Sequence, residues 1–85
     1  MLYDEPADYT YYLRAGYAGG DPPWKVLYRG DDKEKVSQIV SSCTEKVSNF
    51  KPGGMNSFTL WYKGKKYLEI ESIIVDGVHK AVRNV

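Results

Sequence analysis

The spacing of hydrophobic residues starts with period two, switches to 3.6 in the middle of the chain and returns to two. Tyr9, Tyr11, Leu13 and Ala15 alternate with Thr10, Tyr12, Arg14 and Gly16, which predicts a strand over 9–17. Ala18-Gly-Gly-Asp-Pro-Pro23 follows, a run of turn residues without periodicity. Trp24, Val26 and Tyr28 then share one face of a second strand ending at Arg29, so the two strands form an antiparallel hairpin. From Val36 the period lengthens. Val36, Ile39, Val40, Cys43, Val47 and Phe50 fall on one stripe of a helix over about 32–48. Asp31 with Glu34 three residues later gives a capping-box start, and Pro52-Gly53-Gly54 a stop.

Ser57 to Lys63 and Lys66 to about Val75 read as a second hairpin. Phe58 and Leu60 must share a face with Leu68 and Ile70, because opposed residues of an antiparallel pair point the same way. An even loop opposes Leu60 to Glu69 and mixes the faces. The pattern therefore predicts a three-residue loop with a bulge at Gly64. It puts Thr59, Trp61, Tyr67, Glu69 and Glu71 together on the other face. In the tail, Val78, Ala81, Val82 and Val85 have helical spacing, but Asp76-Gly77 is a hairpin turn signal and the valines are β-branched. A last strand is the expectation.

These elements make an α+β domain: small, ββαββ(β) in order, with an antiparallel-rich sheet and one amphipathic helix packed on one face. The element order resembles the β-grasp arrangement. Residues 1–8 read as a frayed acidic and aromatic N-terminus, because Pro6 and three carboxylates oppose a regular start. Residues 9–85 read as the single domain.

Composition changes this picture in two places. The first seventeen residues hold five of the eight tyrosines: Tyr3, Tyr9, Tyr11, Tyr12 and Tyr17. That is more aromatic surface than one strand face buries. Tyrosine gives large contact area at low entropy cost, and its hydroxyl tolerates water. Net charge is only +1, but it is unevenly spread. Asp4, Glu5, Asp8 and Asp21 crowd the start, whereas Lys51, Lys63, Lys65 and Lys66 lie in a stretch without an acid.

Candidate chemistry is sparse. Cys43 is the only cysteine and lies within the helix's apolar stripe, so it reads as a buried, unreactive thiol. A chain this small without a disulfide points to a reducing, cytoplasmic setting. His79 is the only histidine, with no second ligand nearby in sequence for a metal. Glu69 and Glu71 share a strand face as solvated carboxylates. No phosphate loop or nucleophile elbow is present. Ile73-Ile74-Val75, the longest apolar run, is far shorter than the about 20 residues that span a bilayer. Arg29-Gly30-Asp31 matches an adhesion tripeptide, but Asp31 is assigned to the helix cap.

The expectation is therefore a non-catalytic protein-binding module without cofactor, metal or small-molecule substrate. Such domains are frequent among phage- and plasmid-type accessory proteins that inhibit a larger partner. Tyr9, Tyr11, Tyr12, Tyr17, Trp61 and Tyr67 are the candidate contacts with another protein; alternation puts Tyr9 and Tyr11 opposite Tyr12, so one of these two sets is expected to stay exposed. The alternative is a single-stranded nucleic-acid binder using Lys63, Lys65 and Lys66 beside Trp61 and Tyr67.

Overall fold

A computed structural model describes residues 6–17, 23–49, 51 and 53–83. Five strands, β1 (Tyr11–Tyr17), β2 (Trp24–Gly30), β3 (Met55–Tyr62), β4 (Lys65–Val75) and β5 (Val78–Arg83), form one sheet. Helix α1 (Lys33–Ser48) packs across one face. The strand order is β2-β1-β3-β4-β5, and every neighbouring pair is antiparallel. The two hairpins thus meet through an antiparallel β1–β3 ladder, with Tyr11 opposite Tyr62 and Ala15 opposite Phe58. A β-grasp sheet joins its hairpins through a parallel pair, so that resemblance does not hold.

The core lies between α1 and the inner sheet face. Leu13, Ala15, Phe58, Leu60, Leu68 and Ile70 supply the sheet side, and Val36, Cys43 and Val47 the helix side. Ile39 and Val40 close its flanks half-buried, while Phe50 lies outside the described residues. The helix starts one residue later than its capping-box pattern suggests. Asp32 is the N-cap, and its carboxylate accepts from the Lys35 N–H at 3.1 Å. Asp31 is exposed and outside the cap. The adhesion tripeptide still has no loop tip: Arg29 and Gly30 end β2, and the Tyr28 ring crosses Gly30 so closely that a Cβ there would sit 2.6 Å from its hydroxyl.

The β3–β4 hairpin has the odd offset that its apolar residues demand, with Leu60 opposite Leu68 and Phe58 opposite Ile70. The extra residue is elsewhere. Lys63 and Gly64 form a two-residue turn, both at positive φ (51° and 82°), and Tyr62 pairs with Lys65 directly beyond it. Trp61 pairs with Lys66 and Leu60 with Leu68, which leaves Tyr67 as the bulge. Gly64 spends its freedom on the turn itself. Its missing side chain also admits the 3-10 turn Pro6–Asp8, since a Cβ at Gly64 would approach that of Ala7 to 3.1 Å.

Asp76 and Gly77 (φ 51° and 79°) turn β4 into β5, so the tail is a strand. Ser57 opposite Glu71 is the last β3–β4 pair, and from Ser72 onward β4 is paired with β5 alone. Eleven residues at about 3.4 Å each carry β4 some 35 Å. That is most of the molecule's 40 Å long axis. The β4–β5 wing projects beyond the body and leaves Ile73, Ile74, Val75 and Val78 exposed.

Candidate interaction surfaces

Strand alternation sends every second residue to the face that α1 does not cover. From β1 come Tyr12 and Arg14, from β3 Thr59 and Trp61, from β2 Trp24, and from β4 Lys66 and Glu69. Four residue pairs in the two ladders of β1 bring the row together. Tyr12 opposes Trp61, Gly16 opposes Trp24, and Arg14 opposes Thr59 and Val26. The Arg14 guanidinium then lies 4.8 Å from the Trp61 ring centroid and 5.2 Å from that of Trp24. One cation is held between two indoles. Tyr12 extends the row, edge-on to Trp61 at 5.6 Å and stacked with Tyr9 at 6.2 Å.

The row runs Tyr9, Tyr12, Trp61, Arg14, Trp24 across the central strands. Each cation–π contact contributes about 0.5–1 kcal/mol at an exposed site, which holds the arginine's long side chain in one place. Trp24, on the edge strand, is 44% exposed and ends the row in solvent. Tyr12 is the reverse: at 3% exposure it is buried beneath Tyr9 and Trp61. Of the two alternating sets, the one with Tyr12 is therefore not left exposed, and Tyr12 does not present its ring to a partner. Tyr9 also lies ahead of the strand, with its N–H donating to the Pro6 carbonyl at 3.3 Å, and is free to fold over Tyr12.

A second group of tyrosines lies on the helix side. Because Tyr67 is the bulge, it leaves the Trp61 face, where simple alternation puts it, and contacts Tyr62 at 6.4 Å. Tyr62 in turn contacts Tyr11 at 5.2 Å. These three line an open groove of about 530 Å³ between α1 and the β3–β4 hairpin, completed by Lys33, Val36, Ser37, Val40, Ser41, Leu60 and Leu68. Ser37 and Ser41 form its rim, and their small size keeps it open. The other hydroxyls of that flank bond back along the helix, Thr44 to the Val40 carbonyl (2.8 Å) and Ser48 to that of Thr44 (2.9 Å). Tyr17 belongs to neither group; it lines a hollow near Met55 and the C-terminal end of α1.

The three hairpin lysines do not form one basic patch. Lys66 shares the outer face with Trp61 and pairs with Glu69 at 3.3 Å. Glu69 also accepts from Thr59 at 3.4 Å. Lys65 opposes Tyr62, and the Lys63 ammonium lies 5.3 Å from the Tyr62 ring. Trp61 itself is already in contact with the Arg14 guanidinium and the Tyr12 ring.

Cys43 is buried against the sheet, and that burial pushes its thiol pKa up, with nearby Lys46 opposing in part. Ser72 and His79 meet across the wing at 3.3 Å (Oγ to Nδ1), a contact made by the β4–β5 register. Neither residue lines the Tyr11–Tyr62–Tyr67 groove or the hollow beside Tyr17. Among the described residues no group of three or more His, Cys, Asp or Glu side chains is placed to hold a metal. No helix among them is long and apolar enough to cross a membrane. Comparison with protein-family models, curated proteins and solved structures gives no match.

Two contributors escape a reading of the sequence. Trp24 and Arg14 meet only because β1 lies between β2 and β3, which no local pattern states. The exposed wing had a visible signal: Ile73, Ile74 and Val75 break the alternation that a strand buried on one face must keep.

Proposed function

We propose that this chain is a non-catalytic protein-binding module whose contact surface is the helix-free sheet face. The supporting observation is Arg14 held between Trp24 and Trp61, with Trp24 ending the row in solvent. Trp, Tyr and Arg are the residues that dominate binding energy at protein interfaces, and they do so from preorganised, packed positions. Here the arginine is already fixed by the two indoles, so little side-chain entropy is lost on docking. Glu69 and Lys66 at the margin supply a polar rim. A module of this size with one flat face acts by covering a surface on its partner, which is the expected mode of a small inhibitor.

The test is retention of protein from a nuclease-treated lysate by immobilised wild type and by Trp24→Ala. A protein band held by wild type and lost with the folded variant supports the reading. Retention that depends on nucleic acid, and that disappears when Lys63, Lys65 and Lys66 are replaced together, overturns it.

A further inference from the structure

The groove between α1 and the β3–β4 hairpin borders a length of β4 that, among the described residues, is paired on one side only. β5 follows β4 only as far as the Arg83–Ile70 pair. Among the described residues, Lys65–Glu69 therefore has β3 on one side and no strand on the other. The bare edge and the groove are continuous, because Tyr67 and Leu68 belong to both. From this juxtaposition we infer that Lys65–Glu69 receives an extended, acidic and apolar peptide segment of a partner protein as an added strand. Alternate side chains of that segment enter the groove.

Three features select this occupant. The edge offers backbone donors and acceptors in a row, which only another extended backbone can satisfy along its length. Behind the edge, Val36, Val40, Leu60 and Leu68 form an apolar floor walled by Tyr62 and Tyr67, the latter 59% exposed. Every second side chain of an added strand points to the helix side and meets that floor. The charge is one-signed. Lys33 is the single charged residue of the lining, and Lys63 and Lys65 flank Tyr62 at the hairpin end, while no acid lines the groove. Gly30 opposes Tyr11 and Tyr11 opposes Tyr62, so the start of α1 with Lys33 lies at the same end as Lys63 and Lys65, and a carboxylate on the peptide meets the cations there.

A second copy of this chain fits the edge poorly. A two-fold pairing about Tyr67 would set Lys66, on the outer face, opposite Leu68, on the inner face, and mix polar with apolar sides. The site is separate from the Trp24–Arg14–Trp61 face, on the other side of the sheet, so each can fail without the other.

The experiment is selection of a displayed library of random nine-residue peptides against the full chain, followed by backbone amide exchange with and without a selected peptide. In the free chain the amides of Lys65–Glu69 that point away from β3 should exchange rapidly, while those bonded to β3 stay protected. Selected peptides should combine β-branched or aromatic residues in alternation with at least one Asp or Glu, and should slow exchange over Lys66–Glu69. Ser41→Trp, an exposed helix position filling the groove, should weaken the same peptide about tenfold or more with the fold intact. Lys33→Glu should weaken acidic peptides, and Trp24→Ala should leave them unaffected. Failure to select any peptide, selection of peptides that protect other regions, or slow exchange in the free chain at the Lys65–Glu69 amides that point away from β3 would overturn the inference.

Discussion

Replacing Tyr12 by alanine separates the buried part of the aromatic row from its exposed end. The ring is 3% exposed although α1 lies on the other face, and Tyr9 and Trp61 are ring neighbours that cover it. Truncating a buried aromatic costs about 3–5 kcal/mol in a closed core. Here the covering side chains can settle into the gap, which lowers the transfer and cavity cost. The two ring contacts, each contributing about 0.5–1.5 kcal/mol beyond buried area, are lost whatever the relaxation. A total of about 2–4 kcal/mol follows. For a domain of 85 residues, each kcal/mol moves the melting temperature by about 4–8 °C, so a drop of roughly 10–30 °C is expected. Trp24→Ala, at the exposed end, loses one cation–π contact and the buried part of a ring that is 44% exposed. It should cost about 1–2 kcal/mol and about 5–10 °C. Thermal denaturation followed by circular dichroism reads both, with Tyr12→Phe as a control that keeps the ring. If Tyr12→Ala melts within about 3 °C of wild type, Tyr12 is not buried by its neighbours and the row does not exist as described.

Gly64→Ala should destabilise the fold by about 1–2 kcal/mol, from its positive φ and the approach of Ala7. Adding Ala7→Gly should recover the part due to crowding, and strict additivity in a denaturant-melt cycle would show that the 3-10 turn is not docked there. Cys43 should react with a thiol reagent only as fast as the native fold opens, and rapid labelling of the folded chain would contradict its burial. Because burial raises its pKa, the neutral thiol's contribution is fully present below the unfolded-state value of 9.0 and is lost as pH rises through the higher folded-state value. Cys43→Ala should therefore show a shallower fall in melting temperature above pH 9.0 than wild type.

Features set by local periodicity were legible in the residues, and features set by strand adjacency were not. The stripe Val36, Ile39, Val40, Cys43 and Val47 defines α1 because only a helix puts those spacings on one side. Phe58, Leu60, Leu68 and Ile70 dictate the odd offset of the β3–β4 hairpin. They do not say where the extra residue goes. Gly64 was the natural place for it, but Lys63 also adopts positive φ, a conformation a lysine does not advertise, and the turn closes in two residues. The bulge then falls at Tyr67 and moves that ring to the opposite side of the sheet. Asp31 and Asp32 are equally good caps by type, and the difference lies in backbone geometry that follows β2. Of the candidate contacts, Tyr9, Tyr12 and Trp61 are brought together. Tyr11 and Tyr67 join Tyr62 in the groove instead, and Tyr17 stands apart.

The position of β1 has a consequence for the chain during its synthesis. The strand made first in the sheet ends up near the middle of it, between β2 and β3. Its hairpin partner β2 follows within a few residues, but its other neighbour comes only after the whole of α1, since Tyr11 pairs with Tyr62 and Tyr17 with Met55. While α1 and β3 are still being translated, β1 offers an open edge carrying Tyr11, Tyr12 and Leu13. Closing that long-range ladder is the slow entropic step, and until it closes the edge can pair with any neighbouring nascent strand. The growing polypeptide on the ribosome is accordingly more exposed to aggregation than the finished domain, and slowing translation between α1 and β3 should lower its soluble yield.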